Sequence, residues 1–223
     1  MEDLRLEDID PDNIEDLLVK IQKSFSIKFE FNELAEVKNF GEMCDHITNK
    51  IVLDDLDDCT SQQAFYKLRN AISSELKIER SSITREQRLL DIFPRDSRRS
   101  NLKKLEVTLG FKLNILTPPF WQSLSLMIIL LLSLLGFFFS WKIAVSGITF
   151  SILGFWLSDK IANEIELETV GQLAEKITRE NYLKSRRNPK TYNRREIEKI
   201  LIDWFSDEFD LEKRVLTRDA KVI

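Results

Sequence analysis

The chain has 223 residues, 33 Lys and Arg against 37 Asp and Glu for a net charge of −4, and 43% hydrophobic residues. These averages describe an ordinary globular protein of one or two domains and exclude a disordered chain, a disulfide scaffold and a fibrous repeat. The charge is unevenly spread: residues 1–60 hold 17 acids and 6 bases, 61–112 hold 6 acids and 12 bases, 113–158 hold only Lys142, and 159–223 hold 14 of each sign.

In chain order, Ile14, Leu17, Leu18, Ile21 and Phe25 recur at helical spacing and predict a helix over 12–25. His46 lies near Cys44, but no second ligand cluster accompanies them, so a structural or surface role is favoured over a metal site. Cys44 and Cys59 lack CxxC spacing and read as free thiols. The acidic run at 54–58 reads as a solvated linker. Leu68, Ile72 and Leu76 form a second helical stripe, with Ser61 as its N-cap. Arg95, Arg98, Arg99, Lys103, Lys104 and Lys112 then cluster just before the charge-poor block. That is the pattern of a cytoplasmic membrane flank, to which anionic lipid binding is a natural extension. Nucleic acid is excluded as a partner by the acidic total and the lack of interleaved aromatics.

Residues 121–139 carry no ionisable side chain, and about 19 helical residues span roughly 29 Å, the thickness of a bilayer's hydrocarbon core. The second apolar stretch, 143–157, is shorter, about 15 residues or roughly 22 Å. One straight helix over both is far too long, so the pattern predicts a transmembrane hairpin turning near 140–142, with Lys142 reaching the far headgroups. Pro118 and Pro119 suit the start of its first helix, and Trp121, Trp141 and Trp156 fall at the expected interfaces. A buried hairpin in a soluble core is the competing reading. It is disfavoured because the first stretch is apolar on every face and the chain has little other mass to cover it. An internal position and an acidic N-terminus exclude a cleaved signal peptide, and a single charge-poor block excludes a polytopic transporter. The flanking bases place both soluble parts in the cytoplasm, on a bacterial-type inner membrane.

Beyond the block, Ile197, Ile200, Leu201, Trp204 and Phe205 form a third stripe, opened by Asn193 with Glu196 three residues on, a capping-box pattern. Gly and Pro are scarce, at 6 and 5, and no stretch alternates with period two, so the fold class is all-α.

Two kinds of unit recur. Glu33-Leu-Ala-Glu-Val-Lys-Asn-Phe-Gly-Glu-Met-Cys-Asp-His-Ile47 echoes Ile165-Glu-Leu-Glu-Thr-Val-Gly-Gln-Leu-Ala-Glu-Lys-Ile177, and 67–89 echoes 196–220. These units resemble the parts of an acyl carrier protein, a four-helix bundle. The resemblance implies a middle bundle with helix one at 64–94, helix two at 96–113 and the last helix at 165–180, the hairpin being inserted between. It also implies a second, circularly permuted bundle with helix one at 193–223 and the rest at 10–51, where 219–223 would read on into 1–4. The implied segments are 1–60, 61–117, 118–158, 159–186 and 187–223. Nearby termini make such a permutation reasonable, and the ends fold together in one chain or domain-swap with a second copy.

A working carrier of this family bears 4′-phosphopantetheine on a serine at the start of helix two. Aligning Phe25 with Phe111 puts Ser97, preceded by Asp96, at that position in the middle unit and Pro11 there in the permuted one; proline offers no nucleophile. Arg98 stands where carriers have Leu, and the surroundings of Ser97 are basic where carriers are acidic, which should repel the acyl-transfer enzymes that read them. The plainer role for Ser97 is a helix N-cap, with Asp96 near the helix dipole. The leading expectation is therefore a non-enzymatic, membrane-anchored interaction module with no cofactor and an unidentified protein partner. The alternative is a membrane-bound carrier loaded at Ser97 and serving lipid or polyketide-type synthesis.

Overall fold

The computed structural model describes residues 9–221 apart from 31, 32, 35 and 139, and leaves the side chains of Pro11 and Ile143 undescribed. The junction of 222–223 with 1–8 lies outside the described residues. Helices dominate, as an all-α class requires. In chain order they are α1 (Pro11–Phe25), α2 (Phe40–Asn49), α3 (Thr60–Leu76), α4 (Leu89–Ile92), α5 (Arg98–Leu109), α6 (Phe120–Leu135), α7 (Trp141–Ile161), α8 (Val170–Glu180), α9 (Tyr182–Ser185) and α10 (Arg194–Phe209). Four two-residue strands accompany them: β1 (Asp54–Asp55), β2 (Leu116–Thr117), β3 (Glu164–Ile165) and β4 (Thr191–Tyr192). The chain divides into two compact units, one of 1–70 with 171–223 and one of 71–170.

In the first unit the apolar stripes of α1, α2 and α10 share one core with Tyr182 of α9. Leu17, Ile21, Phe25, Phe40, Ile47 and Leu201 are buried completely or nearly so. Phe40 meets Phe205 edge-on at 5.3 Å, and Phe25 meets Tyr182 at 5.1 Å between ring centres. The C-terminal tail closes over the start of α2, where the amides of Phe40 and Gly41 donate to the carbonyls of Ala220 and Arg218, both at 2.8 Å. Gly41 is required there, since a Cβ would lie 2.9 Å from the Arg218 carbonyl oxygen.

The run at 54–58 is exposed throughout, as its composition suggests, but it is also structured. β1 pairs in parallel with β4, Asp54 opposite Thr191 and Asp55 opposite Tyr192. Asp58 binds the guanidinium of Arg186, whose side chain is fully buried. Arg186 also donates to the hydroxyls of Thr60 (2.5 Å) and Thr191 (3.1 Å). Burying this cation is tolerable because several acceptors and a carboxylate surround it. Two helix starts meet in the same cluster. α3 begins at Thr60, one residue before the predicted cap Ser61, and the Thr60 amide donates to the Glu196 carboxylate at 2.9 Å. Asn193 caps α10 as expected, but the capping box does not form: the Asn193 amide donates instead to the Tyr182 hydroxyl at 2.9 Å.

In the second unit, Ile72, Ile83, Leu89, Phe93, Leu102 and Leu105 are buried. A short bridge ties the chain before α4 to the start of α8, with Leu89 donating to Glu168 and Val170 donating to Gln87. α6 and α7 lie side by side, joined through a 3-10 turn at Gly136–Phe138. Small residues allow the approach: Gly147 faces Ser133, Gly154 faces Leu126, and Ala144 and Ser151 are fully buried. α7 has 21 residues rather than the expected 15, because Trp141 and Lys142 already belong to it and Ser158 to Ile161, Asp159 and Lys160 included, extend it. Antiparallel pairing of β2 with β3 holds the outer ends of the two helices at one level.

Candidate functional site

Ser97 sits directly before α5, with φ −110° and ψ −2°. It occupies the N-cap position, yet its hydroxyl makes no capping bond to the backbone and accepts instead from the Asn101 side-chain amide at 3.1 Å. The expected capping role is thus absent from the geometry. Ser97 is half-buried and Asp96 exposed.

Of the basic residues around Ser97, Arg98 is committed inward, while Arg95, Arg99, Lys103 and Lys104 stay exposed. Arg98 is buried, at 4% exposure, and its guanidinium donates to the carbonyls of Phe93 and Asn163 and lies 3.6 Å from Glu164. Arg95 pairs with the same carboxylate at 2.8 Å, and the Asn163 side-chain amide donates to the Arg95 carbonyl at 3.0 Å. Arg99 donates to the Lys160 carbonyl. This clamp fixes the start of α5 to the segment following α7. Periodicity misses Arg98 as a core residue because a lone arginine in a basic run reads as solvated.

The helix caps relate α1 and α5 by a register two residues away from the one the phenylalanines give. α1 ends on left-handed Ser26 and α5 on left-handed Gly110, so the residue before the cap is Phe25 in one and Leu109 in the other. Phe111 lies beyond the cap and matches Ile27, which is buried like it. Aligned in this way, Ser97 falls opposite Asn13 and Pro11 opposite Arg95. Each helix entrance closes with the same turn, Asn13 donating to Asp10 and Ser97 to Pro94. Asn13, like the proline first assigned, offers no hydroxyl.

His46 contacts the Glu33 carboxylate at 2.7 Å, and Lys50 contacts its other oxygen at 2.7 Å. Among the described residues no group of three or more His, Cys, Asp or Glu is placed to hold a metal ion. Cys44 is buried and Cys59 exposed, and both are free thiols.

The other conspicuous surface is that of α6 and α7. Phe120 is 80% exposed, Trp121 71% and Phe138 87%, and large apolar side chains such as Leu132, Ile152 and Leu153 project outward between the ends. Among the described residues, Phe120–Phe138 is the helix long and apolar enough to cross a membrane. No protein-family model, curated protein or solved structure matches the chain.

Proposed function

We propose that the chain is a membrane-anchored, non-enzymatic interaction module, in which α6 and α7 form a transmembrane hairpin holding two carrier-like helical bundles at the cytoplasmic face. The outward apolar surface of α6 and α7 carries this reading. A soluble protein buries such a helix, whereas this one turns its apolar residues outward along its length, as lipid requires. Expressed chain should remain in the membrane pellet after alkaline carbonate extraction; release into the supernatant contradicts the anchor.

Recurring helix ends support the carrier-like pair. α3 and α10 each close on a left-handed residue, Lys77 and Asp210. The hydroxyls of Ser73 and Ser206 donate to the carbonyls of Ile78 and Leu211, and a 3-10 turn follows each, at Arg80–Ser82 and Lys213–Val215. In α1 and α5 the side-chain oxygens of Gln22 and Glu106 accept from the amides of Phe29 and Leu113, both at 2.8 Å. Thr48 and Thr178 donate to the carbonyls four residues back. On this reading the bundle made from the chain ends is circularly permuted and depends on its C-terminal helix. Deleting 193–223 should abolish hydrogen-exchange protection in α1 and α2, and full protection there would exclude the joined bundle or its swapped dimer.

One observation favours the second reading, a loaded carrier: the Ser97 hydroxyl at a helix start is free of any capping bond. Ser97 and Asp96 would hold 4′-phosphopantetheine, which supplies a thiol for an acyl chain. Co-expression with a phosphopantetheinyl transferase and intact-mass measurement separates the readings. An unmodified chain supports the interaction module. A gain of one phosphopantetheinyl group, lost in Ser97→Ala, replaces it with the carrier.

A further inference from the structure

The outer end of α7 carries a strip of side chains suited to an anionic headgroup, and this inference rests on the membrane reading above. The Lys160 ammonium lies 3.8 Å from the centre of the Trp156 ring, one turn back on the same helix, and Trp156 is 57% exposed. The Arg99 guanidinium reaches the Lys160 carbonyl, which brings α5 against this end of α7. Lys103 is one turn further along the Arg99 side of α5, and Lys104 follows it; both are exposed. The nearby carboxylates do not cancel this charge. Glu164 is occupied by Arg95 and Arg98, while Glu106 keeps its charge although it accepts from the Leu113 amide. Asp96, Glu106 and Asp159 remain, against Arg99, Lys103, Lys104, Lys112 and Lys160.

The level of the strip matters as much as its sign. β2 and β3 hold the ends of α6 and α7 together, so exposed Trp121 and Trp156 mark the same end of the helix pair. Tryptophan at that depth defines the headgroup layer, and Lys160 and Arg99 lie just outside it. Lys142 and Trp141 occupy the opposite end, and Lys142 is the one charged residue in 113–158.

We propose that Lys160, seated over Trp156, together with Arg99 and Lys103, binds the phosphate of anionic phospholipids in the leaflet at this end of the α6–α7 pair. A cation near such a surface is worth about 1 kcal/mol, or roughly fivefold in affinity. The test reconstitutes the full chain in phosphatidylcholine vesicles containing trace spin-labelled phosphatidylglycerol or spin-labelled phosphatidylcholine. It reads the motionally restricted fraction of each label. The wild-type chain should select phosphatidylglycerol by about fivefold at low salt, falling as salt screens the contact. Lys160→Gln combined with Arg99→Gln should bring selectivity close to unity while the restricted phosphatidylcholine fraction, which reports insertion, stays unchanged. Lys160→Gln alone, whose side chain holds no backbone group, should give an intermediate value and guards against misfolding of the double variant. Lys142→Gln should retain most of the selectivity. Equal selectivity in the wild type and the double variant, or no selectivity in the wild type, overturns the proposal. Absence of any restricted component for either label instead overturns the membrane reading beneath it.

Discussion

Arg186 is the residue whose replacement should cost most. Its buried guanidinium joins Asp58, Thr60 and Thr191, and removing it leaves those groups without their donor. Arg186→Met should destabilise the chain by about 2–4 kcal/mol. It should also expose the Asp54 and Leu56 amides, which donate to Lys190 and Tyr192, to fast hydrogen exchange. Unchanged protection there would contradict the clasp. Lys77 has the opposite sign: it is exposed and held at φ 56°, where a side chain is strained. Lys77→Gly should therefore stabilise the fold by up to about 1 kcal/mol, read as a raised unfolding midpoint in detergent micelles. Burial pushes the Cys44 thiol up to about 12, so alkylation at pH 8 should modify Cys59 and spare Cys44, as peptide mapping would reveal. Glu33 is held at about 2, first by the Lys50 hydrogen bond and then by the Glu30 amide. Its folded value lies below the ordinary 4.5, so its contribution is complete above about pH 4.5 and fades as pH falls toward 2. Glu33→Gln should remove that window from the pH dependence of Glu30 amide exchange.

At the scale of elements, the α6–α7 contact depends on glycine. A Cβ on Gly147 would stand 2.8 Å from the Ser133 Cβ, so Gly147→Leu should separate the pair at about 1–3 kcal/mol. A cysteine crosslink between the two helices measures this: it should form in the wild-type background and fail in the variant. The helices themselves were readable in the sequence wherever a face is buried. Ile14, Leu17, Ile21 and Phe25 repeat with helical period because one side of α1 meets the core, and Ile197, Leu201, Trp204 and Phe205 do so for α10. Contacts distant in sequence were not readable. Arg186 lies in Ser-Arg-Arg-Asn-Pro-Lys, which has the composition of a solvated turn, and Asp58 and Thr60, far along the chain, join Thr191 in making it a buried hub. Ser97 was placed at a helix start by the carrier resemblance, and α5 does begin at Arg98. Its missing cap was not legible, because Asn101 one turn on competes for the hydroxyl. Arg98 escaped for the same reason as Arg186, its acceptors being Phe93 and Asn163.

For the whole molecule, the uneven charge foreshadowed the division of labour. The nearly uncharged block became the exposed apolar helix pair, and the basic segment before it became the clamp and the cationic strip at one end of that pair. The acidic segment became α1, α2 and the β1 clasp. The central claim is that the α6–α7 pair crosses a bilayer and returns, leaving its turn on the side opposite the helical units. Cys59 is a native exposed reporter for those units, and Ser140→Cys places a second thiol at the turn. Sealed vesicles of each orientation, treated with a membrane-impermeant maleimide, provide the most direct test. The account predicts that the two cysteines label in opposite vesicle orientations; labelling of both in the same orientation would contradict it.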